Sequence, residues 1–547
     1  MSTVALSPPL RLVEATQAER APVNKWLVTL SVSFGTLMGA IDASIVNVAL
    51  THIRGSVGAT LEEITWISTG FVVATVLVMP LTAFLGRLVG QKRLYMISLV
   101  VFLAGSVLCG MAQSLWTLVA FRVIQGFGAG ALQPTEQAIL RQTFPPKEQG
   151  MAMALFAMAV MLGPAFGPTL GGILVDNASW PWIFYINIPV GLLGLVMVWR
   201  FVHEPEDIRS ANALAATEQK KNIDWQGIAL LSVGLAALQY FLEEGDKNSW
   251  FDSRLITFCL ILAGLALVAF VMRELSAKVP AVNLKLFKDP VFASGTLIGS
   301  VMFAMLMANL FLLPVFMQGL LGFDATQSGV SLMPRTLVMM AVVPIVGRLY
   351  NIVSPRILVG IGVVAFSVGA YEMSHFTLAT GTAQIVGSLV WQGVGFGMIF
   401  VPLTTVALSN IERAKLTDAT GLNSLFRQVG GSIGLAIFAT LLGRSATQAR
   451  ASIGAHLSVT NPDALMRLQQ VEQGLIGRGL DAASAHLAAP AALAGQVAQQ
   501  AMVLSFEKMF LLAGVCFMAI LPLLLFLKVD RSAESGGSQK SDVHLEM

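Results

Sequence analysis

Leu94-Tyr95-Met96-Ile97-Ser98-Leu99-Val100-Val101-Phe102-Leu103-Ala104-Gly105-Ser106-Val107-Leu108-Cys109-Gly110-Met111-Ala112 runs without a charged side chain, and Lys92 and Arg93 stand just before it. An α-helix rises about 1.5 Å per residue, so about 20 apolar residues cross the hydrocarbon layer of a bilayer. Comparable runs lie near 26–49, 65–86, 94–112, 116–140, 150–175, 182–202, 225–242, 254–273, 291–317, 329–350, 357–375, 382–408, 419–443 and 506–528. No backbone polar group can be left unsatisfied in lipid, so runs of this length read as helices. The chain therefore reads as an all-α polytopic membrane protein of about 14 spans. Pro164, Pro168, Pro314, Pro334, Pro344 and Pro402 fall inside runs, where membrane helices tolerate them.

Composition agrees. Of 547 residues 55% are hydrophobic and 12% charged, with a mean hydropathy of +0.73; a soluble domain carries about 25% charged residues. Lys and Arg number 34 against 31 Asp and Glu, so there is no basic field to hold nucleic acid. Cys109, Cys259 and Cys516 each lie in an apolar stretch without metal-ligand or CxxC spacing, and read as small core residues. The first apolar run is too long for a signal-peptide core and lacks a small-residue cleavage site, so it is expected to be a retained first helix.

Basic residues fall in alternate loops: Arg87, Lys92 and Arg93; Arg141 and Lys147; Arg200, Arg209, Lys220 and Lys221; Lys278, Lys285 and Lys288; Arg348 and Arg356; Arg413 and Lys415. The positive-inside rule makes those loops, and both termini, cytoplasmic. Residues 444–505 form a long outward loop, and Leu465, Leu468, Val471 and Leu475 predict amphipathic helix outside the membrane.

The halves of the chain echo each other. Gly86-Arg87-Leu88 recurs as Gly347-Arg348-Leu349, and Gln125-Gly126-Phe127-Gly128-Ala129-Gly130 as Gln392-Gly393-Val394-Gly395-Phe396-Gly397. Such repeats are how many secondary transporters are built, with the substrate site between them near the midplane.

Charge inside the membrane is expensive and calls for a reason. Asp42 lies about two turns from the outer end of the first apolar run and Arg122 about two turns from the outer end of the fourth, at one depth. Such a carboxylate–arginine pair, opened alternately to either side, can exchange a proton; a static structural pair is the other reading. Glu136 follows Arg122 by close to four turns, so both project from one face with Gln133 and Gly126. That polar stripe is expected to line a bundle interior, with Glu136 either a proton or cation site or an interfacial charge. Gln125, Gln133, Gln137, Asn423 and Arg427 are candidates to line a substrate cavity, and Arg335 is a further buried charge. Glu372 and His375 read as solvated near an outer boundary. In Gly163-Pro164-Ala165-Phe166-Gly167-Pro168-Thr169-Leu170-Gly171, glycines share one helical face, which allows close helix approach, and the prolines bend the helix.

No GxxxxGK[ST] run is present, so ATP phosphates have no Walker cradle and no cofactor is indicated. An ion gradient suffices: about 2.3 kcal/mol per charge per 100 mV exceeds the roughly 1.4 kcal/mol that each tenfold of a neutral substrate's gradient requires.

The stretches around Asp42, Arg122–Gly130 and Gly163–Gly172 resemble, in order and spacing, motifs of the major facilitator drug:proton antiporters. Trp182-Ile183-Phe184-Tyr185-Ile186-Asn187-Ile188-Pro189-Val190-Gly191 resembles the sixth-helix signature of the fourteen-span EmrB/QacA type, and Phe506-Glu507-Lys508-Met509-Phe510 is closer to the EmrB-like branch. The resemblance implies a cytoplasmic tail (1–24), a six-helix bundle (25–202), a linker with two extra spans at 225–242 and 254–273 (203–290), a second bundle (291–528) and a cytoplasmic tail (529–547). It implies alternating access in the bacterial inner membrane, with Asp42 as proton-coupling carboxylate, Arg122 assisting, and Gly163, Pro164, Gly167, Pro168 and Gly171 favouring export. Lipophilic or cationic substrates, a periplasmic adaptor and an outer-membrane channel are the implied partners. In the loop after the second span Gly86, Gly90 and Lys92 are kept, but Arg87 stands where many facilitators carry aspartate. Their acidic–basic latch does not carry over on the sequence alone. Two other readings stay open: an exporter of a metabolite, fatty acid or siderophore, and a membrane sensor that does not transport.

Overall fold

A computed structural model describes residues 24–526 apart from 61, 207, 211–215, 217–218, 220–222, 278–279 and 458–460. Most of the expected N-terminal tail, the whole C-terminal tail, Lys220, Lys221 and Lys278 lie outside the described residues.

The described chain is helical without strands. The first half holds α1 (Lys25–Val57), α2 (Trp66–Val78), α3 (Thr82–Val89), α4 (Gln91–Gly110), α5 (Leu115–Thr143), α6 (Gln149–Asn177), α7 (Trp182–Tyr185) and α8 (Asn187–Phe201). Between the halves come α9 (Trp225–Glu244) and α10 (Arg254–Ser276). Then follow α11 (Pro290–Gly319), α12 (Ala325–Leu349), α13 (Pro355–Met373), α14 (Thr382–Ala407), α15 (Leu416–Ala455), α16 (Pro462–Gly477) and α17 (Ala482–Met518). Among the described residues twelve helical stretches are long and apolar enough to cross a membrane, or thirteen if the bent α2–α3 pair is one span. The 29-residue α6 occupies the remaining apolar run.

Local chemistry sets the helix ends. The Asn24 side chain accepts from the amides of Trp26 and Leu27 and starts α1, and Gly58, at φ 67°, closes it in a left-handed turn. Asp289 caps α11 with Pro290 in the first turn. Pro80 has no amide hydrogen to continue α2, and the chain turns by 60° into α3. Pro314, Pro334, Pro344 and Pro402 sit inside unbroken helices. Two differences from the apolar runs matter. Helix α1 continues through Thr51-His52-Ile53-Arg54 to Val57, which puts Asp42 near its middle rather than two turns from its end. The 444–505 segment is helical for most of its length, because α15 extends to Ala455 and α17 begins at Ala482. There α16 packs along α17, with Arg467 donating to Gln496 at 3.3 Å.

Helix α1 packs on α6, α5 and α8, and α5 on α2 and α4. In the second half α11 packs on α15 and α14, and α14 on α12 and α13. The two glycine-rich repeats occupy matching places. A Cβ on Gly126 would lie 2.5 Å from the Phe71 carbonyl and one on Gly393 2.5 Å from the Arg335 carbonyl; Gly128 meets Phe102 as Gly395 meets Phe366. Close backbone approach explains the glycines in both copies. The halves meet where α6 packs on α12 and α14, and α15 on α5 and α3.

Candidate functional site

Asp42 is fully buried and Arg122 is 1% exposed, and they pair with Nη1 2.5 Å from Oδ2. The pair is held on every side. Gln125 Nε2 donates to Asp42 Oδ1 at 2.9 Å, Asn187 Nδ2 donates to the same oxygen at 3.0 Å, and Arg122 Nη1 also reaches Gln125 Oε1 at 2.7 Å. Ser106 accepts from both Gln125 and Asn187, and Arg122 Nε donates to the Ile67 carbonyl at 3.3 Å. The guanidinium lies 4.1 Å over the Phe71 ring. Buried charges persist when paired and hydrogen-bonded, and this pair is both. Asn187 and Ser106 are members that charge alone did not mark; the signal for Asn187 was its polar amide inside the sixth apolar run.

The repeat extends to this network. In the second half Gln392 Nε2 donates to Asn309 Oδ1 at 3.1 Å, as Gln125 does to Asp42. Asn309 thus stands for Asp42, and Leu389, three residues before Gln392, for Arg122. The first half carries the ion pair; the second carries its neutral outline.

Glu136 is fully buried one helical stripe away, and Ser33 donates to its Oε1 at 3.0 Å. Its Oε2 has no hydrogen-bond partner, and no cation pairs with it among the described residues. Arg122 and Glu136 both face α1, as their partners Asp42 and Ser33 show, but they belong to separate clusters. Gln133 is half-buried; Gln137 is buried with both amide atoms unpartnered, as is Nδ2 of Asn423. Arg427 is buried over Phe303 and Phe400. Gly163 and Gly167 face α1: added Cβ atoms would lie 2.3 Å from the Ala40 carbonyl and 2.6 Å from Ser44 Cβ. Gly171 is buried too, while the Pro164 and Pro168 side chains lie outside the described residues.

The basic loops after α3, α5, α12 and α14 meet at one end of the helices, and there the halves are pinned together. Arg87 Nη1 donates to both carboxylate oxygens of Asp418, at 3.0 and 2.9 Å, and Gln91 Nε2 donates to Thr417 at 2.7 Å. Arg87 Nε also reaches Gln219 of the linker at 3.2 Å. Gly86 lies near Thr417, Gly90 takes φ 88° against Glu204, and Lys92 donates to the Trp199 carbonyl at 2.7 Å. Gly150 and Gly347 pass so closely that a Cβ on Gly150 would lie 2.7 Å from the Gly347 carbonyl. Away from that end α9 touches both halves, through Glu244 to Thr69 and Gln239 to Ser432.

The family model described as Major Facilitator Superfamily matches residues 32–435. This chain belongs to the major facilitator superfamily. It is a membrane transporter and not an enzyme. Among facilitators it is 32% identical over 514 residues to the fatty acid resistance protein FarB of Neisseria gonorrhoeae, covering 93% of this chain and 97% of that one. It is 32% identical over 515 residues to the multidrug export protein EmrB of Escherichia coli K12, with the same coverage. Among solved facilitators, the proton:xylose symporter XylE superposes with a TM-score of 0.56 at 12% identity, covering 91% of this chain and 96% of that one. The human organic anion transporter MFSD10 gives 0.55 at 14%, covering 90% and 99%. At such identity these structures establish the fold. Against the facilitator pattern, Arg87 does join the halves at the basic end, with the polarity of the ion pair reversed: the cation is on α3 and the acid on α15.

Proposed function

We propose that this facilitator is a proton-coupled exporter of amphipathic, lipophilic compounds, a drug:proton antiporter of the bacterial inner membrane with both termini cytoplasmic. The observation that carries this is the one-sided ion pair: Asp42 and Arg122 in the first half, Asn309 and Leu389 in the second. A carboxylate with three donors releases or takes up its proton as those donors and water are exchanged, and alternating access supplies that exchange. Bundles 25–202 and 291–528 rock about the cavity between them, and Gly163, Gly167 and Gly171 let α6 slide along α1. Glu136 is a second proton carrier in the same bundle. The relatives named for multidrug export support amphipathic cargo. The EmrB-like resemblance of the sequence motifs extends the proposal to the inner-membrane part of a tripartite pump, with the 444–505 helices reaching a periplasmic adaptor and its outer-membrane channel. The similarity to a fatty acid resistance protein favours a second reading, export of one metabolite class.

The test is substrate-driven proton release in proteoliposomes with a panel that includes ethidium, for the parent and for Asp42→Asn. Coupled flux that vanishes in the variant supports the proposal. Coupling that survives intact moves the proton to Glu136, and the absence of flux in the parent for every compound overturns the exporter reading.

A further inference from the structure

Buried charge is unequally balanced between the halves. In the first, Asp42 and Arg122 neutralise each other. In the second, Arg427 on α15 and Arg335 on α12 are 4% and 3% exposed, and neither makes an ion pair among the described residues. Nη1 of each has no hydrogen-bond partner, and neither has Nδ2 of Asn423, one turn before Arg427. Of the carboxylates on α15 and the helices packed against it, Asp418 is held by Arg87, Glu243 of α9 is bonded by Gln239 and Ser432, and Glu136 of α5 is bonded by Ser33 with its second oxygen unpartnered; none pairs with Arg427 or Arg335 among the described residues. A desolvated guanidinium without a counter-charge is costly, and a buried donor left unmade adds to the cost.

The surroundings of Arg427 are aromatic. Its guanidinium lies over Phe303 at 5.3 Å and Phe400 at 5.4 Å, and its stem passes Gly299, where an added Cβ would lie 3.6 Å from Arg427 Cγ. Phe400 in turn is 6.2 Å from Phe303 and 6.2 Å from Phe156 of α6. A row of three rings thus crosses from the second half to the first, beside a cation and an amide donor that lack an acceptor. Cation–π contact offsets only part of the desolvation, whereas a carboxylate would satisfy guanidinium and amide together.

We propose that Arg427 and Asn423 form an anion subsite in the second half of the transport cavity. It takes the carboxylate of a singly charged amphiphile whose apolar body lies along Phe303, Phe400 and Phe156, and Arg335 adds to the positive potential. The proposal rests on the exporter reading above and names its cargo as an amphipathic carboxylate rather than a cation. Moving an anion outward and a proton inward carries charge in the same sense, so an inside-negative membrane potential drives both.

The experiment uses the full chain in nanodiscs and three probes of equal chain length: dodecanoate, its methyl ester and dodecyltrimethylammonium. Dodecanoate is expected to bind at least tenfold more tightly than the ester. Arg427→Gln is expected to remove that preference while the ester binds as before, which also shows that the variant is folded; Arg427→Lys should keep part of it, and Asn423→Ala should lose a few-fold. An unchanged dodecanoate preference in both Arg427→Gln and Arg335→Gln, or tighter binding of the trimethylammonium probe, overturns the subsite. Proton-coupled flux of ethidium without dodecanoate binding would sink the subsite and leave the exporter reading standing. Arginine-dependent dodecanoate binding without flux of any compound would do the reverse.

Discussion

Arg87 in the last turn of α3 and Asp418 in the first turn of α15 form a two-pronged ion pair between the halves, each charge placed where its own helix dipole favours it. The acid is buried and the arginine about one-fifth exposed, so the pair is dry enough to matter and wet enough to open.

Arg87→Asp and Asp418→Arg, made singly, each set like charges against each other and are expected to slow efflux at least fivefold. The exchanged pair Arg87→Asp/Asp418→Arg restores the attraction but opposes both dipoles, worth about 0.3–1 kcal/mol each, so recovery should be partial. Efflux rates, with accessibility of a cysteine placed at Thr405, check this. If the exchanged pair is as poor as the worse single variant, the charges act independently and the pin is not a latch.

Gly163→Ala places a methyl group 2.3 Å from the Ala40 carbonyl, which only separation of α1 and α6 relieves. Overpacking of this kind costs about 1–3 kcal/mol, and transport should fall more than stability does, because α1 carries Asp42. Gly172→Ala, with nothing within 4 Å of the added methyl, is the matched control. Equal efflux and equal thermal midpoints for the two variants would show that the close approach is unimportant.

The spans were legible because the bilayer imposes a length on every apolar run, and Asp42 and Arg122 because each interrupts such a run with a charge. Asn187 and Ser106 were not singled out as site residues, since neutral polar side chains are frequent inside spans and only the fold brings them to Asp42. Asp418 hid for a different reason: it follows Arg413 and Lys415 at the edge of an apolar run, where a charge looks solvated. Helix α1 outlasts its apolar run because His52 and Arg54 stop the apolar pattern without stopping the helix. Helix ends obey capping and local bonding, not hydropathy, and Gly58 supplies the cap.

In the 444–505 segment, Asp481 starts α17 by accepting from the Ser484 amide at 3.0 Å, and hydrogen bonds from the Ser484 side chain and amide hold its carboxyl below the usual aspartate value of 3.8. A folded value below the unfolded one means that the cap contributes above the unfolded value and is lost as pH falls through the folded one. A spin label at Ala483 should therefore gain mobility between pH 5 and pH 2, about the aspartate range. Asp481→Asn, which keeps an acceptor without a titrating proton, should show no such change, and Asp481→Ala should be mobile throughout. A label equally mobile in all three at pH 5 would mean that the cap does not order this turn.

The matched repeats make a sharper demand on the second half. Phe71 lies under Arg122, and Arg335 takes the place of Phe71 in the repeat, so the positive charge absent at Leu389 reappears one helix over. A carboxylate at position 309 would then find a guanidinium on the facing helix, as Asp42 finds Arg122. Asn309→Asp should be tolerated in the parent, whereas Asn309→Asp with Arg335→Gln buries an unpaired acid and should lose about 3–5 kcal/mol. Thermal unfolding of the four members of the cycle measures the coupling, expected to exceed about 1 kcal/mol for residues that share an interaction. Additive effects would mean that Arg335 turns away from the Asn309–Gln392 bond, and that the two halves share a backbone plan without sharing the position of their charge.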